Sequence, residues 1–356
     1  MKIRSKINEK KRRTVRLCIL ISMMVLAVLA MLFSFASRCI WSENVRTPKG
    51  ENVSLFIPTH SDFQSVKDSI NSVCYIIKPG FFEILAKKLD YVDHIKPGHY
   101  ILKDGMSNYQ LVSMLRSGRQ VPVKVVFNNI RTIEQLAGRI STQIEADSVS
   151  ILNELRNNSC LQAEGFNQYN YASLFIPNTY EFYWNTDAKG FVKKMTHEYE
   201  NFWNESRLQK AEHQNLTPLQ VSVLASIVDK ETTKISEMRT ISGVYINRLK
   251  KRMPLQADPT LVFALGNFEI HRVLDVHKEI ESPYNTYKYA GLPPGPICIP
   301  SIAAIDAVLN AEEHKYFYFC AKDDLSGSHV FAKRLDEHNA NAAKYRKALN
   351  KQRIYK

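Results

Sequence analysis

Two carboxylates stand two residues apart in "VLASIVDKETTK", Val223 to Lys234, at the end of an apolar run. Asp229 and Glu231 are the right groups for general acid and base work on a poor leaving group. The start of the stretch carries helix chemistry. Thr217 is a plausible N-cap, Pro218 suits the first helical position, and Gln220 completes a capping box. At about 100° per residue, Leu224, Ile227, Val228 and Glu231 fall on one stripe and Asp229 on the opposite side. Residues i and i+2 do not face each other on a helix, so the two acids cannot act as a pair across one substrate. Asp229 is expected in solvent. Glu231, emerging from the apolar face, is expected to have its pKa raised by desolvation and to stay protonated near neutrality. From this helix alone it is either a general acid or one half of a structural salt bridge.

The elements that follow supply polar groups in irregular surroundings. "SEMRTISGVYINRLKK" predicts a second amphipathic helix carrying Asn247 and Arg248, both of which have ordinary roles in loop bonding or ion pairing. "MPLQADPTLVFALG" exposes Gln256, Asp258 and Thr260 around Pro259. "SPYNTYKYAGLPPGPICIPS" holds five prolines, two glycines and three tyrosines in twenty residues, and no regular element tolerates that composition. It is a rigid aromatic loop, suited either to a sugar-binding groove or to a structural surface. His329 falls in an expected hairpin between "YFYF" and "HVFA". No HExxH or CxxC motif occurs, so neither a metal nor any other cofactor is expected. Cys74, Cys160, Cys298 and Cys320 are irregularly spaced, and nothing selects a disulfide pairing among them.

The chain has 356 residues and a formal charge of +13, which raises nucleic acid as a partner until the charge is located. Residues 1–38 contain nine Lys/Arg and one Glu, a net of +8 that leaves only +5 for the rest. The basic cluster precedes Leu17–Ala36, twenty residues without a charge and about long enough to cross a bilayer. The expectation is a cytoplasmic tail at 1–16, one transmembrane helix at 17–37 and an extracytoplasmic body, with no nucleic-acid partner. A cleavable signal would have a shorter apolar core, and Arg38 before Cys39 does not suit lipoprotein processing. Residues from Trp41 to about Asn52 read as a polar stalk. Residues 50–120 then show a compact α+β pattern ending in a helix capped by Ser107 and stopped by Gly118. A longer region, 121–350, opens on an alternating strand, so the fold class is α+β.

The blocks "LASIVDKET", "VYINRL", "LQADPT", "SPYNTY" and "GLPPGPICIPS" together resemble, in order, those of the endolytic murein transglycosylases, the YceG-like family. "FIPNTYEFYW" and the hairpin "YFYFCAKDDLSGSHVFAKRLDEHNA" extend the likeness over nearly the whole body. The resemblance implies a single-pass anchor in the bacterial inner membrane, a LysM-like module at 50–120 and a YceG-like catalytic domain at 121–350 facing the periplasm. It implies endolytic cleavage of the β-1,4 bond between N-acetylmuramic acid and N-acetylglucosamine in peptidoglycan glycan strands, leaving a 1,6-anhydromuramoyl end. Penicillin-binding proteins and glycan polymerases are implied as partners, and termination of nascent strands would follow for an enzyme tethered where they emerge. The family's catalytic Glu falls on Glu231. Asn247, Gln256, Asp258, Thr260, Asn285, Tyr287, Pro293, Pro294 and His329 are candidates for holding sugar or lining its groove. The sequence departs from the family at Asp229, often Glu, and at Asn178, where an acid is common. Two competitors remain: a two-carboxylate hydrolase using Glu231 with Asp258 or Glu237, and a non-catalytic membrane-anchored wall-binding scaffold.

Overall fold

The computed structural model describes residues 2–270 and 272–351, with side chains from residue 13 onward. The chain divides into two compact units. One comprises Met1–Val123 with Tyr183–Asn185, the other Lys124–Phe182 with Thr186–Lys356.

The first unit opens on α1 (Lys2–Trp41), whose stretch Arg13–Trp41 holds an 18-residue run with a mean hydropathy of 2.7 and is long and apolar enough to cross a membrane. Its large side chains are bare along most of that length, Phe33 being 77% exposed. Then come β1 (Val45–Arg46), β2 (Val53–Ile57), α2 (Phe63–Val73), β3 (Tyr75–Ile76), α3 (Pro79–Lys88), β4 (Gly98–Leu102) and α4 (Asn108–Ser117). Strands β2 and β4 pair antiparallel, Leu55 opposite Tyr100, and β1 pairs antiparallel with β3. The alternating pattern of β2 sends Leu55 and Ile57 into a core shared with Val66, Ile70, Leu111 and Leu115. Helix α4 has the caps its sequence predicts. Ser107 and Gln110 form a reciprocal capping box, and Gly118 ends the helix at φ 68°, a left-handed value that glycine adopts without steric cost.

The expected stalk is not a stalk. Asn44 and Val45 are buried, and β1 pairs with β3 in a two-stranded sheet of the unit. Asn44 Nδ2 donates to Asn108 Oδ1 (2.6 Å) and to the Lys78 carbonyl, while its Oδ1 accepts from Lys78 N (2.7 Å). Asn108 Nδ2 in turn donates to the carbonyl of Cys39 in the last turn of α1 (2.8 Å). Two buried amides thus fasten the end of α1 to α3 and α4. Buried amides need such partners, because an unmade bond there costs about 1–3 kcal/mol. Those partners lie 34 to 69 residues away, beyond the reach of local polarity.

The second unit contains β5 (Val123–Phe127), α5 (Ile133–Ser141), α6 (Ser148–Asn157), α7 (Ser159–Ala163), β6 (Asn178–Phe182), α8 (Ala188–Phe202), α9 (Glu205–His213), α10 (Pro218–Glu231), α11 (Ile235–Lys250), α12 (Asp258–Leu265), α13 (Ile302–Leu309), β7 (Tyr318–Ala321), β8 (His329–Ala332) and α14 (Leu335–Lys351). Strand β5 pairs with β6, and β7 forms an antiparallel hairpin with β8. The architecture is mixed α+β. The core gathers Val221, Leu224, Ala225 and Val228 of α10, Ile241 and Tyr245 of α11, and Ile305 and Val308 of α13.

Helix α10 is the axis of this unit. Thr217 and Gln220 form its capping box, with Pro218 in the first turn. Every residue from Val221 to Val228 is buried, so it is enclosed on all sides rather than along one stripe. Single-helix periodicity therefore misplaces Asp229. Its side chain is 16% exposed, and its Oδ1 accepts from the hydroxyl and the backbone N of Ser301, the N-cap of α13. The proline-rich loop lies against the same helix: Ile297 N donates to Ser226 Oγ (2.9 Å) and Cys298 Sγ to the Ser226 carbonyl (3.6 Å). Gly295 permits this path, since a Cβ there would lie 1.7 Å from the Tyr169 carbonyl oxygen. None of the six cysteines is disulfide-bonded.

Candidate active site

Glu231 is the last residue of α10, where the helix leaves the core. A short turn reverses the chain into α11, so that Tyr245, fourteen residues on, faces back onto it. The Tyr245 hydroxyl donates to Glu231 Oε1 at 2.6 Å, and Tyr245 is only 2% exposed. Among the described residues this is Glu231's one hydrogen bond, which leaves Oε2 open to the cleft. Burial pushes the Glu231 carboxyl up from 4.5 to about 7. The Tyr245 hydrogen bond pulls against that shift, the Asp258 charge adds to it and the Arg248 charge opposes it. Burial and the neighbouring Glu231 raise the Tyr245 phenol well above its ordinary value, so it remains a donor.

Arg248, on the next turn of α11, is buried, with its Nε and Nη1 engaged. Its Nε donates to the Phe317 carbonyl (2.7 Å), and its Nη1 to the carbonyls of Pro254 and Leu255 and to Gln256 Oε1 (3.2 Å). One guanidinium therefore ties α11 to both the strand β7 approach and the loop entering α12. In that loop Gln256 adopts φ 51°, a left-handed conformation disfavoured for a residue with a Cβ, and its N donates to the Thr286 carbonyl (3.0 Å). Asp258 opens α12, where the helix dipole favours a negative charge. It accepts a short hydrogen bond from the hydroxyl of Tyr287, whose phenol is raised by burial and by that bond. The cleft thus carries two carboxyl groups, each held by its own phenol.

Two cavities meet at this pair. One, of about 410 Å³, is walled by Tyr245, Arg248, Gln256, Tyr287 and the hairpin residues Tyr318, Phe319 and His329. The other, of about 420 Å³, is walled by Arg131, Lys230, Val262, Phe263 and Phe268. Glu231 and Asp258 line both, so they mark the junction of a groove that continues to either side.

The structure brings Gln256, Asp258, Tyr287 and His329 to the groove with Glu231. It does not bring the other candidates there. Asn247 spends its amide on the carbonyls of His314 and Tyr316. Thr260 is buried and bonded to the Ala257 carbonyl and to Thr286. Asn285 is buried and bonded to the carbonyls of Lys278 and Ile280, which shapes the loop that presents Tyr287. Pro293 and Pro294 line a separate hollow with Leu216, Leu219 and Leu249, sharing no residue with the two cavities beside Glu231. Compaction of the proline-rich segment against α10 carries them away from the groove.

Glu237 lines neither cavity. Both its oxygens are taken by His329, Oε1 from the backbone N (3.0 Å) and Oε2 at Nδ1 (2.8 Å). Burial opposes ionisation there, yet the His329 bonds and the Lys234 charge hold its carboxyl below the usual value. Lys234 Nζ also donates to the Ser326 carbonyl and to Ser328 Oγ, so α11 grips the hairpin at two points. Among the described residues, no group of three or more His, Cys, Asp or Glu could hold a metal ion. Sequence reasoning missed Tyr245 and assigned Arg248 an ordinary part. The available signal was the fourteen-residue offset between two predicted helices joined by a short turn, which sets Tyr245 against Glu231.

Comparison with known proteins agrees with this arrangement of elements. The curated Bacillus subtilis (strain 168) protein named endolytic murein transglycosylase is 29% identical over 329 residues, covering 86% of this chain and 89% of the relative. The Streptococcus pneumoniae D39 protein of the same name is 26% identical, and the matched part spans 82% of this chain but 58% of that longer relative. A crystal structure of a YceG-like protein from Listeria monocytogenes superposes with a TM-score of 0.54 at 27% identity, covering 82% of this chain and 99% of that one. The profile of the YceG-like family matches residues 55–344, most of the chain, which therefore belongs to the YceG-like family.

Proposed function

We propose that this protein is a membrane-anchored endolytic lytic transglycosylase of peptidoglycan. It cleaves the N-acetylmuramic acid–β-1,4–N-acetylglucosamine bond within glycan strands and leaves a 1,6-anhydromuramoyl end. The observation that carries the reading is Glu231: a carboxyl raised to about 7, at the junction of two cavities, with one oxygen held by Tyr245 and the other open. A group that titrates near neutrality serves both halves of the reaction. Protonated, Glu231 gives its proton to the glycosidic oxygen as the C1–oxygen bond breaks. As the carboxylate, it takes the proton of the muramic C6 hydroxyl as that oxygen closes on C1. The attack is intramolecular, with a high effective molarity, so water is outcompeted and no second carboxylate is needed as nucleophile or water-activating base. Tyr245 steadies the carboxylate between the steps. Gln256, Tyr287 and Asp258 serve as sugar contacts in the groove, and His329 positions the hairpin wall. The relatives' shared name supports the same substrate class.

In this reading α1 anchors the chain in the inner membrane with its basic end in the cytoplasm, consistent with its length and bare apolar surface. The unit around β2, α2, α3 and β4 is a LysM-like wall-binding module; its antiparallel β2–β4 pair, with α2 and α3 between the two strands in sequence, supports this. An enzyme tethered where new strands emerge beside glycan polymerases and penicillin-binding proteins acts as a terminator of strand elongation. Mass spectrometry of glycan digested by the full chain tests the reaction. Ends lighter by one water are expected from the wild type, and their loss in Glu231→Gln. Reducing ends with water added would instead mean a hydrolase, and cleavage unchanged in Glu231→Gln would remove Glu231 from the mechanism.

A further inference from the structure

The two cavities that meet at Glu231 differ in charge. In the hairpin-walled cavity the cation is Arg248, whose Nε and Nη1 are spent on three carbonyls and Gln256 and which is thereby fixed as a brace between α11 and the loop entering α12. The other cavity contains Lys230 and Arg131. Lys230 is partly committed: its Nζ donates to Asn129 Oδ1 (3.1 Å) and lies 3.7 Å from Asp229. Arg131 is not committed. Among the described residues no carboxylate pairs with it and no acceptor takes a hydrogen bond from its guanidinium. What holds it is the ring of Phe268, 4.5 Å from centroid to guanidinium carbon. The backbone beside it is fixed, since the Ile130 carbonyl accepts from Ile299 N (2.8 Å) and Arg131 N donates to Gln135 Oε1 (3.0 Å). A ring face attracts a guanidinium without using its N–H donors, and those donors form the fork that takes a carboxylate in a bidentate grip.

We propose that this cavity is the carboxylate-recognising half of the glycan groove. Arg131, helped by Lys230, binds the carboxylate of the muramic residue whose C1–oxygen bond is broken. The inference rests on the reading of the chain as acting on peptidoglycan. Of the two sugars, only muramic acid bears an acidic substituent: its lactyl group when the peptide is absent, the stem peptide when it is present. Both offer the same chemistry to Arg131. Arg131 and Lys230 both line this cavity, so it is the side that draws the carboxylate of the sugar next to Glu231. The groove thereby acquires a direction, with muramic acid over Arg131 and Phe268 and the departing N-acetylglucosamine toward Tyr318 and Phe319.

The test is a binding measurement on the full chain carrying Glu231→Gln, so that no strand is consumed. Three probes are used: peptide-free strands with free lactyl carboxylates, the same strands methyl-esterified, and peptide-bearing strands. Free-acid strands are expected to bind about tenfold more tightly than the ester. Adding Arg131→Gln should remove that advantage, bringing the acid down to the affinity of the ester, and Arg131→Lys should restore part of it. Arg131 dependence with peptide-bearing strands assigns the stem carboxylate; dependence confined to peptide-free strands assigns the lactyl group. Equal affinity of the Glu231→Gln parent for acid and ester overturns the proposal, as does an equal loss on both when Arg131 is replaced. Should the Gln double variant fail to fold, Arg131→Lys on the same parent takes its place, and an undiminished preference for the acid there overturns the proposal. Absence of anhydro ends from the wild type would sink the proposed reaction, whereas these affinities judge the cavity separately.

Discussion

The Asn44–Asn108 pair of the first unit and the Tyr245–Glu231 pair of the second are both polar pairs withdrawn from water, and they are completed differently. Each amide in the first pair has its oxygen and nitrogen matched, by the other amide, by the Lys78 backbone and by the Cys39 carbonyl. In the second pair one oxygen of Glu231 is matched and the other is left facing a cleft. A completed pair holds elements together; an incomplete one has capacity for a ligand, and its pKa moves because the charge is not fully compensated. Asp229 makes the same point within one helix. Two residues from Glu231, it is paired with Ser301 and serves as a brace between α10 and α13.

The contrast can be broken most directly at Glu231. Replacing it with Gln keeps the acceptor for Tyr245 and removes the proton, and glycan cleavage is expected to fall by about 10³-fold with the fold intact. A loss below about tenfold would erase the distinction between the pairs. The same variant has a stability signature. The folded-state pKa lies above 4.5, so the neutral form is favoured and wild-type stability declines as pH rises from about 4.5 through about 7. Glu231→Gln lacks that decline and should be more stable than wild type at pH 8 by up to about 3 kcal/mol, with the gap closing below pH 4. Chemical denaturation at the two pH values measures it, and a pH-independent difference would contradict it. Asn108→Ala should behave in the opposite sense at every pH, costing about 2 kcal/mol by orphaning one N–H of Asn44 and the Cys39 carbonyl, read from denaturation of the first unit. Tyr245→Phe is the finest probe. Its hydrogen bond lowers the Glu231 pKa, so its loss should move the high-pH limb of kcat/KM upward and reduce the rate about tenfold. A limb that moved downward would mean Tyr245 does not stabilise the carboxylate.

What could be read from the chain follows how local each feature is. The caps at Ser107, Gly118 and Thr217, the β7–β8 hairpin and the long apolar helix depend on near neighbours, and they stand as the sequence suggests. Asp229 was misplaced because helical periodicity assumes one wet face, whereas α10 is surrounded. The segment at Asn44 looked like a linker because its partners are distant in sequence. Pro293 and Pro294 shared a suggestive loop with Tyr287, but composition cannot show that Ser226 and Gly295 fold the loop's second half onto α10. Arg131, a hundred residues before Glu231, gave no local sign of the cavity it enters.

The socket at the end of α1 has a mechanical consequence. Had residues 41–52 been a slack tether, the module after them could swivel freely and its heading would carry no information. With the Cys39 carbonyl gripped by Asn108 and Phe35 set edge-on against Phe81, the helix and the module turn as one body. A rotation of the end of α1 is then passed directly to the strands and helices packed around it. The helix is a mast rather than a mooring line.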